Sequence, residues 1–379
     1  MSLHSFSFPT AIIFGAGARK KVPAHLSGIG ARRPLIVTDK GVAALPFVAE
    51  FQADLRGGGL EPGLFAGVWG NPTSAQVAAG AAAYREHRAD SVIGLGGGAA
   101  LDVAKAVALL AVHEGSIFEY AWDHPQRRPI DKPLPHFIAL PTTSGTGSEV
   151  GRSSVISDDQ THVKKIVFAP ALLAKAVFAD PELTLDLPPK ITAATGIDAL
   201  THNIESYLSP VYHPLCDGIA LEGVRLAARA LPLAVRDGKN LQARSDMMMS
   251  SMMGAIAFQK DLGAVHSCAH SLGTVLDLHH GLANGVMLDY VMRFNLPSAP
   301  EKFAELARVS GAGSTGEEFV AWLTRLKAEI GIPARLRDVG CKPEHFARLV
   351  AIATDDTCHR TNPRPCTAAD FEQLYTTAL

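Results

Sequence analysis

The feature that most constrains the fold is the alternation of short apolar runs with helical stretches in the first half of the chain. PLIVTD (34–39), DSVIGLGGG (90–98) and HFIALPTT (136–143) are compact, β-rich runs that predict buried strands. SAQVAAGAAAYREHR (74–88) and ALDVAKAVALLAV (100–112) are rich in alanine and long side chains and predict helices. Strands that alternate with helices indicate a parallel sheet with crossover helices. In such a sheet, ligands bind at the carboxyl ends of the strands.

The second half of the chain has a different pattern. ITAATGIDALTHNIESYLS (191–209), DGIALEGVRLAARALPLAV (217–235) and LQARSDMMMSSMMGAIAF (241–258) all have helical periodicity, and β-rich runs almost disappear. DPELTLDLPP (180–189), rich in proline and aspartate, separates the two patterns. We therefore predict an α/β domain over residues 1–185 and a helical domain over residues 186–379.

Composition and charge narrow the class of protein. Hydrophobic residues make up 47% of the chain and charged residues 19%, which predicts a sizeable core and argues against disorder. The net charge of −2 gives no basic excess, so we expect neither nucleic acid nor a membrane surface as a partner. The five cysteines are scattered and odd in number, which indicates a reducing, cytoplasmic setting rather than a disulfide framework. MSLHSFSFPTAIIFGAG, at the start of the sequence, has neither the basic region nor the apolar run of a signal peptide or membrane anchor.

Two glycine-rich loops follow predicted strands. In GLGGGAALDVAK (94–105) three consecutive glycines remove side chains where a strand meets a helix, so backbone N–H groups can approach a phosphate at the helix N-terminus. The loop is neither GxGxxG nor a Walker A sequence, and a simple tight turn is the alternative. PTTSGTGSEV (141–150) follows a later strand and offers small hydroxyl donors. Two such loops at strand ends suit a long phosphate-containing ligand such as a dinucleotide.

Asp39 closes the first predicted strand. A carboxylate at this place can accept both hydroxyls of an adenosine ribose and would repel a 2′-phosphate. The alternative is a turn or a helix cap after the strand.

Histidines are concentrated in AVHSCAHSLGTVLDLHHGLANG (264–285), which holds four of the 15 in the chain. One Asp–His pair and one His–His pair are each spaced four residues apart, and a histidine doublet precedes a glycine. The residues concerned are Asp198, His202, His266, His270, His279 and His280. A carboxylate and several imidazoles from separate helices form a good ligand set for Fe(II) or Zn(II), although a single helical histidine is more often structural. Spacing alone leaves open whether they meet and which members bind the metal.

The chemistry of these parts suits a dehydrogenase. A divalent cation binds the substrate oxygen, lowers the pKa of the alcohol and polarises the carbonyl in the reverse direction. Nicotinamide carries the hydride, and a further histidine can pass the proton to solvent.

These motifs together resemble the iron-containing (group III) alcohol dehydrogenases over essentially the whole chain. The matching stretches are FGAG (14–17), NPT (71–73), GGGAALDVAK (96–105), LPTTSGTGSEV (140–150), DPELT (180–184), GIDALTHNIESY (196–207), AVHSCAHSLG (264–273), HHGLANGVML (279–288) and TNPRP (361–365). The resemblance implies an α/β, Rossmann-like N-terminal domain that binds a dinucleotide. It also implies an all-helical, metal-binding and catalytic C-terminal domain, the architecture of dehydroquinate synthase-like proteins and group III alcohol dehydrogenases. A homodimer or larger homo-oligomer is implied as well.

The resemblance also implies roles for individual residues. The metal ligands would be Asp198, His202, His266 and His280. His270 would lie near the nicotinamide as a proton relay, and His279 would be a neighbour. The cofactor contacts would come from Asp39, Asn71, Gly97, Gly98, Asp102, Thr142, Thr143, Thr146, Lys164 and Leu183. Asp39 favours NAD(H) over NADP(H).

The chain departs from the family pattern at four positions. Ala99 replaces a usual serine after the glycines, and Asp261 replaces a frequent glycine before the histidine-rich stretch. Asp289 and Tyr290 replace a commoner Pro–His pair. The neighbouring maleylacetate reductases typically carry asparagine where Asp198 stands, so the intact ligand set here favours the metal-dependent branch.

We therefore predict an NAD(H)-linked, Fe(II)- or Zn(II)-dependent dehydrogenase that acts on a short alcohol or its aldehyde. Three alternatives stay open. One is a reductase of a functionalised carbonyl such as a semialdehyde or maleylacetate, which an Arg or Lys in the substrate pocket would mark. The others are a metal-dependent hydrolase, against which the two glycine loops argue, and a non-catalytic binding protein.

Overall fold

The computed structural model describes residues 6–8, 10–160 and 163–379. Residues 1–5, on which part of the expectation about a targeting segment rests, lie outside this range. The chain divides into two compact units. The α/β unit comprises Ser7–Thr143 and Ser148–Thr184, and the helical unit comprises Phe6, Ser144–Gly147 and Leu185–Leu379.

A six-stranded parallel sheet forms the α/β unit, with a separate two-stranded hairpin. The strands are β1 (Ala11–Phe14), β2 (Pro34–Asp39), β3 (Gly63–Val68), β4 (Ser91–Gly96), β5 (His136–Pro141), β6 (Ser153–Ser157), β7 (Lys164–Phe168) and β8 (Ala176–Ala179). The sheet order is β1-β8-β5-β4-β2-β3, and β6 and β7 form the antiparallel hairpin. The three predicted strands correspond to β2, β4 and β5, and the predicted parallel sheet is confirmed.

In the part of the α/β unit that the structure describes, five helices connect these strands: α1 (Val22–Gly28), α2 (Lys40–Ala43), α3 (Pro46–Gly57), α4 (Ser74–His87) and α5 (Gly98–Leu110). Short 3-10 turns lie at Ala18–Lys21, Ile117–Tyr120, Ser148–Val150, Pro170–Leu172 and Pro181–Thr184. The Thr73 hydroxyl and the Gln76 side chain form a capping box that starts α4. The first five residues of β2 are buried because helices cover both faces of a parallel sheet, and this is why PLIVTD is continuously apolar.

One polar contact at the amino-terminal end of the sheet joins two histidines. Nε2 of His25 on α1 lies 3.0 Å from Nε2 of His136 at the start of β5. One ring must donate and the other accept, so the bond is lost when both rings are protonated. Burial lowers the pKa of His25, and burial together with His25 and Lys175 lowers the pKa of His136.

We expect this pair to make the α/β unit less stable in mild acid. Because the folded pKa values lie below the unfolded value of about 6.5, its contribution is fully present above that pH and is lost as the pH falls below it. His136→Gln should therefore lose less stability between neutral and mildly acidic pH than the wild type, as measured by thermal melting. His124→Gln, a loop histidine outside the pair, is the control, and equal slopes for all three proteins would contradict the prediction.

The described residues of the helical unit form nine α-helices: α6 (Pro189–Leu208), α7 (Pro214–Arg236), α8 (Leu241–Ala257), α9 (Ala264–Leu276), α10 (His280–Asn295), α11 (Pro300–Ser310), α12 (Gly316–Glu329), α13 (Phe346–Asp355) and α14 (Ala368–Ala378). Short 3-10 turns lie at Phe258–Lys260, Leu296–Ser298, Leu336–Val339, Pro343–His345 and Cys358–Thr361. From Leu185 to the end of the described chain all regular elements are helical, as predicted. None of the described helices combines the length and the apolar character needed to cross a membrane.

α6 is the central helix of this unit and is buried on nearly all sides. Two glycines let its neighbours approach. A Cβ at Gly223 of α7 would lie 2.0 Å from Asn203 Oδ1, and a Cβ at Gly254 of α8 would lie 2.8 Å from the Cβ of His202. Close packing therefore holds α6 in a fixed position.

Two of the departures from the family pattern share one partner. The buried ammonium of Lys327 on α12 donates to the Asp289 carboxylate and, over 2.7 Å, to the Val286 carbonyl. Its Nζ lies 5.1 Å from the centre of the Tyr290 ring, and the Tyr290 hydroxyl donates to Ala334 O over 3.0 Å. Asp289 and Tyr290 thus attach α10 to α12.

Candidate metal and cofactor sites

Helices α6, α9 and α10 bring one carboxylate and three imidazoles together. The four residues are Asp198, His202, His266 and His280, and their ligand atoms all lie within 4.8 Å of one another. Nε2 of His280 is 3.5 Å from Asp198 Oδ1, and Nε2 of His202 and Nε2 of His266 are each 3.8 Å from it. These distances are too long for good hydrogen bonds. They are close to the roughly 3.4 Å that separates two ligands of one tetrahedral cation when each is about 2.1 Å from it.

Local sequence explains why the three helices can meet. Asp198 and His202 lie four residues apart on one face of α6. A Cβ at Gly281 of α10 would lie 2.1 Å from Ala194 O, and one at Gly285 would lie 2.8 Å from Ile197 Cγ2. The two glycines in HHGLANG therefore allow α10 to approach α6 closely enough for His280 to join the cluster.

Glu205, which sequence reasoning did not select, orients His266. Nδ1–H of His266 donates to Glu205 Oε2 over 2.6 Å, and the other carboxylate oxygen accepts from Val265 N over 2.7 Å. With the proton held on Nδ1 of the neutral ring, the lone pair of Nε2 faces Asp198. Burial alone would lower the pKa of His266, but Glu205 and Asp198 raise it.

Asn284 adds an amide to the cluster. Its Nδ2 lies 2.7 Å from Asp198 Oδ1 and 3.2 Å from Nε2 of both His266 and His280. One NH2 group has two hydrogens, so it cannot satisfy three acceptors at full strength. The cluster is therefore rich in acceptors and poor in donors, which is the environment a cation fits.

The cluster is buried, so leaving its hydrogen-bond acceptors without a donor or a cation costs free energy. Asp198, His202 and His266 are each at most 4% exposed. Burial lowers the pKa of His202 to about 4, with Asp198 acting in the opposite direction. A buried carboxylate with neutral imidazole ligands is the donor set that Fe(II) or Zn(II) accepts, so these residues fit the implied metal.

His270, the predicted proton relay, lies beside this cluster and has a carboxylate partner of its own. Its Nδ1–H donates to Asp356 Oδ2 over 2.8 Å, and its ring stacks on that of His280 with a centroid distance of 5.4 Å. Asp356 Oδ1 also accepts from the Ser267 hydroxyl and from Cys358 N. Burial would raise the pKa of Asp356, but the hydrogen bond and charge of His270 hold it well below its usual range. Asp356 therefore fixes the orientation of His270.

Cys358 is the third member of this neighbouring group. His270, Asp356 and Cys358 offer ligand atoms within 4.8 Å of one another. Burial raises the pKa of the Cys358 thiol well above its usual value. The hydrogen bonds of Asp356 already account for the arrangement, so we assign this group no metal.

The TNPRP stretch holds the start of α9. Asn362 Oδ1 accepts from Ala264 N over 3.2 Å and from Asn295 Nδ2 over 2.9 Å. The Thr361 hydroxyl donates to Leu262 O over 2.8 Å. The stretch therefore positions the helix that carries His266 and His270.

Asp261 occupies a strained position just before α9. Its φ of 61° and ψ of 179° lie in a region that only glycine adopts readily, which explains why the family often has glycine there. The side chain is exposed. We expect Asp261→Gly to stabilise the protein by about 1–2 kcal/mol in chemical unfolding because the strain is relieved.

A matched replacement separates strain from charge. Asp261→Asn removes the charge and keeps the strain, so it should give at most a small part of that gain. Equal stability for the glycine variant and the wild type would show that the position is not strained in solution.

In the α/β unit, Asp39 ends β2 and faces the glycine turn. Its Oδ1 accepts from Val42 N over 2.8 Å and caps α2, which is the alternative considered from the sequence. Its Oδ2 would lie only 3.2 Å from a Cβ at Gly96, whose φ of 151° also requires glycine. One carboxylate oxygen of Asp39 thus caps α2, and the other lies over the glycine turn at Gly96.

The two glycine-rich loops touch within this unit. Thr142 N donates to Gly96 O over 3.0 Å, and a Cβ at Gly97 would lie 3.3 Å from the Thr143 side chain. Gly98 is the first residue of α5, so Gly97 and Gly98 place backbone at a helix N-terminus.

A backbone hydrogen bond joins the NPT segment to the β6–β7 hairpin. Ser157 N donates to Pro72 O over 2.7 Å, and Ser157 pairs with Lys164 across the hairpin. Asn71 and Lys164 are thereby brought to one side of the unit.

Asp102 is mainly engaged by protein groups. Its Oδ1 accepts from the Ser148 hydroxyl over 2.6 Å and its Oδ2 from Val155 N over 3.0 Å. Buried Lys105 donates to the same Ser148 hydroxyl over 2.8 Å and to Ser153 O over 2.7 Å. These groups attach α5 to the chain that follows the second loop, a network that sequence reasoning missed.

The structure also describes three other predicted residues, Leu183, Thr146 and His279. Leu183 is 5% exposed and packs in the core of the α/β unit. Thr146 lies in Ser144–Gly147, which belongs to the helical unit, where the Ser251 hydroxyl donates to Gly145 O over 3.1 Å. His279 is the N-cap residue of α10.

Comparisons with known proteins find relatives that cover essentially the whole chain. The model of iron-containing alcohol dehydrogenase matches residues 9–181, and that of the Fe-containing alcohol dehydrogenase family, C-terminal, matches residues 192–379. A 4-hydroxybutyrate dehydrogenase of Cupriavidus necator is 41% identical over 96% of this chain and 97% of its own. The crystal structure of a 1,3-propanediol oxidoreductase is similar with a TM-score of 0.94, at 36% identity over 100% of both chains. A sulfoacetaldehyde reductase from Bifidobacterium kashiwanohense, solved in complex with NAD+, has a TM-score of 0.91 at 30% identity, over 100% of this chain and 99% of its own.

A parallel sheet with a glycine turn at its carboxyl edge, and a helical unit with a buried Asp–His cluster, define a class of cofactor-linked oxidoreductases. The chain belongs to the iron-containing alcohol dehydrogenase family and is an oxidoreductase that acts on alcohols. The predicted family, fold class and enzyme class are confirmed. The roles of individual site residues and the boundary at residue 185 stay predictions.

Proposed function

We propose that this protein interconverts a short alcohol and its aldehyde with NAD(H) and a divalent metal, Fe(II) or alternatively Zn(II). The observation that carries the proposal is the buried cluster in which three imidazole nitrogens lie 3.5–3.8 Å from one oxygen of Asp198. Asp198, His202, His266 and His280 would hold the metal. When bound, the metal supplies Lewis acidity at the substrate oxygen and the nicotinamide accepts or donates hydride.

The surrounding residues of the chain have positioning and proton-handling roles. Glu205 holds the Nδ1 proton of His266, so its Nε2 is available as a ligand. Asp356 holds the Nδ1 proton of His270, which leaves Nε2 to accept or give the alcohol proton. In the α/β unit, backbone at Gly97 and Gly98 suits the diphosphate and Asp39 suits the adenosine ribose, which favours NAD(H).

Similarity to the 4-hydroxybutyrate dehydrogenase of C. necator supports a second candidate within this chemistry. The enzyme would then reduce an aldehyde that carries a carboxylate, such as a semialdehyde. The presence of Asp198, where maleylacetate reductases typically carry asparagine, argues against maleylacetate as the substrate.

Anaerobic NADH oxidation by the Fe(II)-loaded protein tests the proposal. Short aldehydes, semialdehydes and maleylacetate are compared, with metal-free protein and NADPH as controls. We expect metal-dependent turnover with NADH on a plain aldehyde. Turnover restricted to carboxylated aldehydes would favour the second candidate, and absence of turnover from folded, metal-loaded protein would contradict both.

We also propose a homodimer formed through the edge of the sheet. β1 is an edge strand, and its Ile12 and Phe14 are 36% and 39% exposed, with Phe8 nearby in sequence at 45%. An exposed apolar edge strand is a template for pairing with another chain. Light scattering after gel filtration should give the molecular mass of a dimer or larger assembly. The Ile12→Lys substitution should shift that mass toward the mass of the monomer. A monomeric wild type would contradict this proposal without affecting the catalytic one.

The five cysteines are free. This supports a reducing compartment, and we propose the cytoplasm as the location.

A further inference from the structure

The carboxyl ends of three neighbouring strands of the α/β unit carry different chemical groups. The sheet places β4, β2 and β3 side by side, and they end at Gly96, Asp39 and Val68. Thr38 pairs with Leu95, and Asp39 pairs with Val68, so the three strand ends are level. Adjacent strands are about 4.8 Å apart. The glycine turn, the Asp39 carboxylate and the residue after Val68 therefore lie in a row, roughly one strand spacing apart.

The residue after Val68 is Trp69, and its ring is unusually open. Val68 is fully buried, whereas Trp69 is 63% exposed. The Lys40 ammonium lies 5.8 Å from the ring centroid, which is within the range of a cation–π contact. One face of the indole is thus covered by a cation, and most of the side chain remains accessible to a second planar group.

The backbone of Trp69 is held while its ring is exposed. Gln76 Nε2 donates to Trp69 O over 2.8 Å, and Gln76 is itself only 6% exposed. The same Gln76 side chain closes the capping box with Thr73 at the start of α4. A fixed backbone and an accessible aromatic face are what a stacking platform for a nucleobase requires.

The chemistry of the row matches the order of groups in a dinucleotide. Backbone N–H groups at the glycine turn suit the diphosphate, and the carboxylate suits the ribose hydroxyls. We propose that Trp69 stacks on the adenine of the cofactor and so selects for the adenosine half of NAD(H). This inference rests on the proposed function, since it assigns a residue to the same cofactor.

Binding measurements on the full-length protein test it separately from catalysis. Dissociation constants are measured calorimetrically for NADH, for ADP-ribose and for reduced nicotinamide mononucleotide, which lacks the adenosine half. Trp69→Ala should weaken NADH and ADP-ribose by roughly 10-fold or more, since loss of a base–aromatic stack costs on that order. It should leave the mononucleotide unchanged, and Trp69→Phe should retain most of the affinity.

Trp122→Ala is the matched control. Trp122 belongs to the same unit, is 66% exposed and has Arg127 5.1 Å from its ring centroid, so it shares exposure and a cation neighbour with Trp69. Its loss should not change any of the three affinities. Unaltered affinity of Trp69→Ala for ADP-ribose would overturn the inference while NADH binding by the wild type still supported the proposed function. A wild type that binds neither NADH nor ADP-ribose would overturn both.

Discussion

Asp198→Asn is expected to strip the protein of its divalent metal and to lower kcat/KM for the aldehyde by roughly 1000-fold or more. Asp198 Oδ1 is the atom toward which three imidazoles point, at 3.5–3.8 Å. Asparagine keeps the size of the side chain but removes the negative charge that a buried cation requires. Metal content after dialysis, measured by elemental analysis, and the rate of NADH oxidation under anaerobic conditions check the two parts of the prediction.

Asp289→Asn is the matched control for this experiment. Asp289 is also a buried aspartate of the helical unit, but it pairs with Lys327 and lies outside the ligand cluster. Its replacement should lower the stability and leave the metal content unchanged. If Asp198→Asn retained full metal content and activity, the cluster would not be the metal site.

Sequence patterns predicted three adjacent strands of the sheet, β5, β4 and β2, but not the strands on either side of them. β2, β4 and β5 are six-residue runs that are almost wholly buried, so their apolar character is continuous. β1 and β8 have only four residues each, and β3 contains two glycines, so their patterns are too short or too weak to stand out. The β6–β7 hairpin was missed for a different reason: its strands are only partly buried and carry polar residues, so no continuous apolar run identifies them.

The candidate metal site could be predicted only in part from spacing. The Asp198–His202 pair follows from helical periodicity, but which histidines of the second and third helices face it depends on how those helices pack. Glu205 had a usable pattern, because it continues the same face of α6 three residues after His202. Asp356 had none, since it contacts His270 across 86 residues of sequence.

The hydrogen bonds of the Nδ1 atoms explain why His266 is the predicted metal ligand and His270 the predicted proton relay. Glu205 holds Nδ1 of His266 and thereby directs its Nε2 toward Asp198. Asp356 holds Nδ1 of His270 outside the cluster, so this ring stacks on His280 instead of facing the Asp198 carboxylate. Spacing in the sequence left this choice open, because both histidines lie on the same face of one helix. It is decided by two carboxylates from other elements of the fold.

Asp356→Asn is expected to lower kcat by roughly 100-fold while metal content and NADH affinity stay near wild-type values. The carboxylate accepts the Nδ1–H of His270, the Ser267 hydroxyl and Cys358 N. An amide whose oxygen keeps the bonds to Ser267 and Cys358 turns its NH2 toward His270. The ring then carries its proton on Nε2, the wrong tautomer for accepting the alcohol proton. Single-turnover alcohol oxidation at saturating NAD+ isolates this step from cofactor binding.

Asp355→Asn provides the control, because Asp355 is the exposed neighbouring aspartate at the end of α13. It should match the wild type in kcat, metal content and thermal stability. Thermal melting of Asp356→Asn distinguishes orientation from general damage, since a loss of kcat without a comparable loss of stability is specific to His270. If Asp356→Asn lost its metal, the carboxylate would act on the ligand cluster rather than on the relay, and unchanged kcat would exclude His270 from proton transfer.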